Sequence, residues 1–194
     1  MKNIILIGGA PSVGKTTLAK KLSVSLGIPL ISTDQIRSIL KTTLNKEDYP
    51  DLFLDTKDIN EPAELFAIEM KQSEVVWKGV LAFIQSIHPW DGGIIEGIAI
   101  LPILIAKDVP DQENIKPIFM LQNDVTAISK IIEERSKLPW IKTKTPDQQE
   151  QKVKQIILFN KQIESDARKY SFPTIEVSNS NVEEVFKKLL QLVG

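Results

Sequence analysis

Gly9, Gly14, Lys15, Thr16 and Thr17 stand within GGAPSVGKTTLA, directly after the apolar run at residues 4–7. The spacing is glycine, four residues, then glycine-lysine-threonine, and it falls between a buried strand and a helix. Glycines there let successive backbone N–H groups turn toward one point. The helix opening near Gly14 aims its unsatisfied amides at the same point. A turn of this kind either joins two elements or cradles an anion, and the strand-to-helix setting favours the anion. In that reading Gly9, Ala10, Pro11, Ser12, Val13, Gly14, Lys15, Thr16 and Thr17 wrap the phosphates of a nucleotide. Lys15 neutralises the outer phosphates, and the Thr16 hydroxyl ligates Mg²⁺.

Four further side chains have the types that phosphoryl chemistry uses. Asp34, in ISTDQIR, follows a second short apolar run. A carboxylate there accepts the proton of an attacking hydroxyl, holds a Mg²⁺-bound water, or simply caps a helix. Arg37 lies one turn further along that helix, near the face carrying Asp34. Glu96 closes the apolar strand begun by Ile94 and Ile95. It contacts Mg²⁺ through water or holds an acceptor hydroxyl, since an acid in that place otherwise lacks a purpose. Arg135 ends a helix just before SKLPWIKTKTP, a lysine-bearing loop at 136–146 with the composition of a lid that excludes water.

The chain has only three arginines, Arg37, Arg135 and Arg168, among 24 basic residues. A guanidinium fork suits carboxylate and phosphate better than an ammonium does. Compensation of a helix C-terminus is the plainer role for Arg168, and competes evenly for Arg135. His88, the one histidine, precedes Pro89 at a helix end and reads as a cap. NKED at 45–48 spells a guanine-reading pattern, but no strand precedes it and no D-x-x-G occurs, so it is a coincidence.

The elements that must position these residues alternate. Strands are expected at 3–7, 30–32, from 94, at 115–121 and at 174–177, with helices between them at 14–26, from 33 or 34, 62–87, 124–136, 146–170 and from 182. The inward faces are expected to carry Leu18, Leu22 and Leu26; Ile36, Ile39 and Leu40; Leu65, Ile68, Val76, Val80, Phe83 and Ile87; and Val185, Leu189 and Leu192. Residues 42–60 read as an irregular excursion. Alternation of this kind predicts parallel pairing by right-handed crossovers, hence one α/β domain of about five strands between helical layers. Segments 42–88 and 136–146 then lie over the C-terminal edge of the sheet, where such sheets bind ligands.

Bulk composition agrees. The chain has 194 residues, 42% hydrophobic and 25% charged, with a net charge of −1. That balance suits one soluble domain and argues against a dedicated nucleic-acid binder. There is no cysteine, which fits a reducing cytoplasm. No apolar stretch approaches the length of a membrane span. The expected partner is a small-molecule acceptor, and the chain is expected to act as a monomer or homodimer.

Together GGAPSVGKTTLAKKLS, ISTDQIRSIL and GGIIEGIAILP resemble the 2-phosphoglycerate kinase-like proteins, phosphate-loop kinases of small metabolites near the zeta-toxin and shikimate-kinase types. The resemblance runs from the first strand through FPTIEVSN. It implies a P-loop NTPase three-layer α/β/α sandwich with a five-stranded parallel sheet of order 2-3-1-4-5. It also implies phosphoryl transfer from ATP to a small hydroxyl-bearing molecule, a 2-phosphoglycerate-like sugar acid being favoured. Lys15 and Thr16 would then meet ATP and Mg²⁺, Asp34 the acceptor, and Arg135 the lid, while 178–181 approach the adenine. Two alternatives stay open: a nucleotide or sugar-nucleotide kinase, and a nucleotide-dependent switch without an acceptor.

Overall fold

The computed structural model describes residues 3–55, 59, 61–86, 92–109, 113–137, 145–177 and 181–194. Ile87, His88, the greater part of the expected lid and residues 178–180 lie outside them. The strands are β1 (Ile4–Gly9), β2 (Leu30–Ser32), β3 (Gly93–Glu96), β4 (Ile115–Leu121) and β5 (Thr174–Glu176). They form one sheet of order β2-β3-β1-β4-β5, with every pairing parallel. β1 is buried throughout and apolar up to its closing glycines, as a strand covered on both faces must be. Pro117 sits within β4 at no expense in ladder bonds. Phe119 N–H donates to Pro173 O at 3.0 Å, and Pro117, two residues back, faces the same side before β5 begins.

The helices are α1 (Lys15–Leu26), α2 (Thr33–Thr43), α3 (Pro62–Ser86), α4 (Pro102–Asp108), α5 (Val125–Ser136), α6 (Pro146–Lys169) and α7 (Val182–Val193). α1 and α7 pack on one face of the sheet. α6 packs on the other, and in turn carries α3, α4 and α5. Trp77 of α3 and Phe159 of α6 are among the largest fully buried side chains. Phe66 meets Phe159 edge to face at 5.4 Å between centroids, and Trp77 Nε1–H donates to Asp108 Oδ2 at 2.8 Å. Among the described residues no helix is long and apolar enough to cross a membrane.

Several local expectations are corrected. Leu26, Ile39 and Leu192 face outward, being 41%, 61% and 39% exposed, and Val193 takes the last inward place on α7. On α3 the buried stripe runs through Ser73, Val76, Trp77, Val80 and Ile84, leaving Leu65, Ile68 and Phe83 half-buried. Neither Thr33 nor Asp34 caps α2. Ser32 does, accepting from Asp34 N–H, while the Gln35 side chain accepts from Ser32 N–H. The excursion at 42–60 holds a 3₁₀ turn, Pro50–Phe53, docked by the fully buried Leu52. α4 lies where no helix was expected.

Candidate active site

Strand register brings the candidate residues together. Ile7 lies opposite Glu96, and Glu96 opposite Ser32, so β1, β3 and β2 end side by side. The glycine-rich loop leaves β1 at that edge, α2 starts there with Asp34 in its first turn, and Glu96 is the last residue of β3. One pocket is lined by Pro11, Ser12, Gly14, Lys15, Thr16, Thr17, Asp34, Glu96, Gly97, Ile98 and Arg135.

The loop has the backbone the motif demands. Gly9 has φ +135°, and a Cβ on it would lie 2.3 Å from Met120 O. Ser12 adopts φ +68°, an uncommon conformation for a residue with a side chain. Lys15 is buried, and its Nζ donates to Ala10 O at 2.6 Å. Burial lowers its pKa from 10.5 to about 8, against the pull of the Glu96 and Asp34 carboxylates and with help from Arg135. A buried ammonium held by a single carbonyl is stabilised further by anionic oxygens brought beside it.

Thr16 Oγ1–H donates to Glu96, with both carboxylate oxygens at 3.1 Å, and Glu96 is only 3% exposed. A hydroxyl and a carboxylate so placed suit a hard cation that takes oxygen ligands. No group of three or more His, Cys, Asp or Glu side chains forms a metal cage among the described residues, so a cation here would need oxygens from a ligand and water as well. Arg135, at the end of α5, donates from Nη1 to Ser12 Oγ at 3.1 Å and so reaches the loop. The Asp34 side chain makes no hydrogen bond among the described residues. At the second position of α2 its charge sits at the positive end of the helix.

Gly97 fixes how β3 leaves the sheet. Its N–H donates to Ile7 O at 3.0 Å, its φ is +146°, and a Cβ on it would fall 1.9 Å from Thr33 Oγ1. Thr33 is buried, and its hydroxyl has no hydrogen-bond partner among the described residues.

Two candidates stand outside this pocket. Arg37 turns to α3, where its Nη2 donates to Glu69 Oε1 at 2.6 Å and its Nη1 to Gln72 Oε1 at 3.2 Å. Arg168 is 81% exposed at the far end of α6 and, among the described residues, pairs with Glu164 at 3.3 Å. Asn45 and Asp48 of the NKED run hydrogen-bond each other in a local turn, as a coincidental match would. Gly97, Ile98 and Thr33 were not among the expected site residues. The EGI run carried the signal for Gly97, because a glycine right after a buried strand marks a close backbone approach.

No family model matches the chain. Curated relatives do. It is 37% identical over 127 residues to a 2-phosphoglycerate kinase of Methanopyrus kandleri, covering 61% of this chain and 38% of that protein. It is 27% identical over 206 residues to the 2-phosphoglycerate kinase of Methanothermobacter thermautotrophicus, covering 96% and 65%. The chain thus spans less than two thirds of the length of these relatives. Among solved structures, shikimate kinase from Acinetobacter baumannii in complex with shikimate superimposes with a TM-score of 0.55 at 18% identity, covering all of this chain and 93% of that one. By sequence the chain is therefore related to 2-phosphoglycerate kinases, and by fold it is a phosphate-loop NTPase-type α/β protein that shares its architecture with shikimate kinase.

Proposed function

We propose that the protein is an ATP- and Mg²⁺-dependent phosphotransferase of the cytoplasm. It moves the γ-phosphate to a hydroxyl of a small metabolite, with an acid like 2-phosphoglycerate as the favoured acceptor. The observation that carries this reading is the single pocket in which buried Lys15, Asp34, the Thr16–Glu96 pair and Arg135 meet. The names of the curated relatives support it.

Each residue has a distinct task. Loop amides between Gly9 and Thr17 hold the phosphate oxygens, and Lys15 neutralises charge on the outer ones. Thr16 and Glu96 would hold the magnesium ion, which would supply charge neutralisation at the phosphates. Asp34 accepts the proton that the acceptor oxygen loses as its new bond to phosphorus forms. The electron pair of the breaking P–O bond leaves on the ADP oxygen. Arg135 shifts from Ser12 to the transferring group, and segment 136–146 closes over it. Segment 42–88 forms the acceptor side of a single kinase domain.

A metabolite-library thermal-shift screen in the presence of a non-hydrolysable ATP analogue tests the reading. The analogue with Mg²⁺ should raise the melting temperature, and a hydroxy acid should raise it further. A protein indifferent to ATP and Mg²⁺ would refute the proposal.

A further inference from the structure

Two residues other than glycine adopt positive φ among the described residues, Ser12 at +68° and Ser171 at +57°. Ser171 has an ordinary reason. It follows the end of α6, where its N–H donates to Arg168 O and that of Phe172 to Ala167 O, and a left-handed residue closes a helix in this way. Ser12 closes no helix. It stands in the turn of the glycine-rich loop, where a glycine would take the same conformation without strain. Such a conformation persists when its surroundings over-determine it, and here they do. Ala10 and Val13 on either side are buried, and Lys15 Nζ ties back to Ala10 O at 2.6 Å. What the serine adds over a glycine at this position is a hydroxyl.

That hydroxyl lies in the pocket and meets Arg135, whose Nη1 donates to Ser12 Oγ at 3.1 Å. Arg135 makes no ion pair among the described residues, whereas Glu69 holds Arg37 at 2.6 Å. A guanidinium resting on a neutral hydroxyl gives up little when it leaves, and a phosphate oxygen offers it a charge-assisted bond instead. The Ser12 hydroxyl also has a proton of its own. While it accepts from Arg135 it remains able to donate to an anionic oxygen. Arg135 lies near enough to Lys15 to help lower its pKa, so hydroxyl, guanidinium and ammonium face the same end of the loop. The outermost phosphate of a triphosphate lies at that end if Lys15 neutralises it.

We infer that the Ser12 side chain reads the terminal phosphate of the bound nucleotide. With the loop empty, or filled by a diphosphate, its hydroxyl accepts from Arg135. With a triphosphate it donates to an oxygen of the γ-phosphate, and the freed guanidinium turns to the same group. This rests on the kinase reading above and adds to it a side-chain contact that separates ATP from ADP, where the loop amides serve both. The backbone strain at Ser12 is retained because the conformation aims the hydroxyl into the pocket.

The test uses the full chain with Mg²⁺ and titrates ADP and a non-hydrolysable ATP analogue by calorimetry. Ser12→Gly removes the hydroxyl and the strain together. It should melt no more than about 2 °C below wild type, weaken the ATP analogue about fivefold or more, and leave ADP within about twofold. Ser12→Ala keeps the strain and should lose the same affinity. Ser12→Asn tolerates the left-handed conformation and supplies both a donor and an acceptor, so it should recover most of the loss. If the position mattered only for its backbone, Ser12→Gly would bind the analogue as well as wild type or better, and the proposal falls. An equal loss for ADP and the analogue also overturns it, because the hydroxyl would then serve the loop as a whole. Both results spare the kinase reading, since wild type still binds the analogue. Wild type that binds neither nucleotide ends both.

Discussion

The two halves of this region, the glycine-rich loop and the neighbouring seam between α2 and α3, are made of different materials. On the phosphate side, backbone does the shaping: β1 ends in glycines, the loop passes through positive φ at Gly9, Ser12 and Gly14, and α1 begins at Lys15. In the seam, side chains of α2 and α3 meet across long sequence separations, as Arg37 and Glu69 do. A backbone-built site is written in a dozen consecutive residues and is tied to one ligand chemistry. A side-chain-built site is distributed, and its chemistry changes with a single substitution.

The deepest test of that contrast is Lys15→Ala. It removes the buried ammonium of the phosphate side and should lower turnover by about a thousandfold or more and weaken ATP as well. Steady-state kinetics and nucleotide titration read both effects. Asp34→Asn should separate the halves, lowering kcat about a hundredfold or more with ATP affinity near wild type. An equal loss of ATP affinity would mean Asp34 serves the phosphate side instead.

A smaller effect follows from pH. Folding lowers the pKa of Lys15 from 10.5 to about 8. Between those values the unfolded chain holds the proton and the folded chain does not, so stability rises with pH from about 8 toward about 10. Below about 8 the penalty for the buried cation is present in full. Lys152, lowered in the same direction by its own burial, adds to this slope. Thermal melts across that range should show the rise, and Lys15→Met should diminish it. A polyphosphate beside Lys15 favours the charged form, so ATP binding should weaken as pH climbs past about 8. Smallest of all, Arg168→Ala should leave kcat and KM unchanged and stability within about 0.5 kcal/mol, because its ion pair with Glu164 is exposed.

This division also decides what could be read without coordinates. The parallel sheet, the loop, and the meeting of Asp34, Glu96 and Arg135 at one edge were legible from motif and alternation, while the strand order was legible only through the resemblance to phosphate-loop kinases. The partner of Arg37 was not: Glu69 is 32 residues away, and no local pattern pairs them. The outward Ile39 and Leu26 misled for a related reason. An apolar residue at helical spacing faces the core only if a neighbouring element covers that face, and the neighbour is set by tertiary packing. The Ser32 cap, by contrast, was legible in principle: serine followed three residues later by glutamine, in STDQ, is the capping-box spacing.

The close approach of Gly97 to Thr33 has a consequence for how this protein can change. The two positions interlock like a key in its ward, one on the exit of β3 and one at the start of α2. A bulkier residue at 97 is admissible only alongside a shaved one at 33, and even then the φ of +146° resists it. Drift at this joint is confined to paired steps, so the ends of β3 and α2, which carry Glu96 and Asp34, are held against each other.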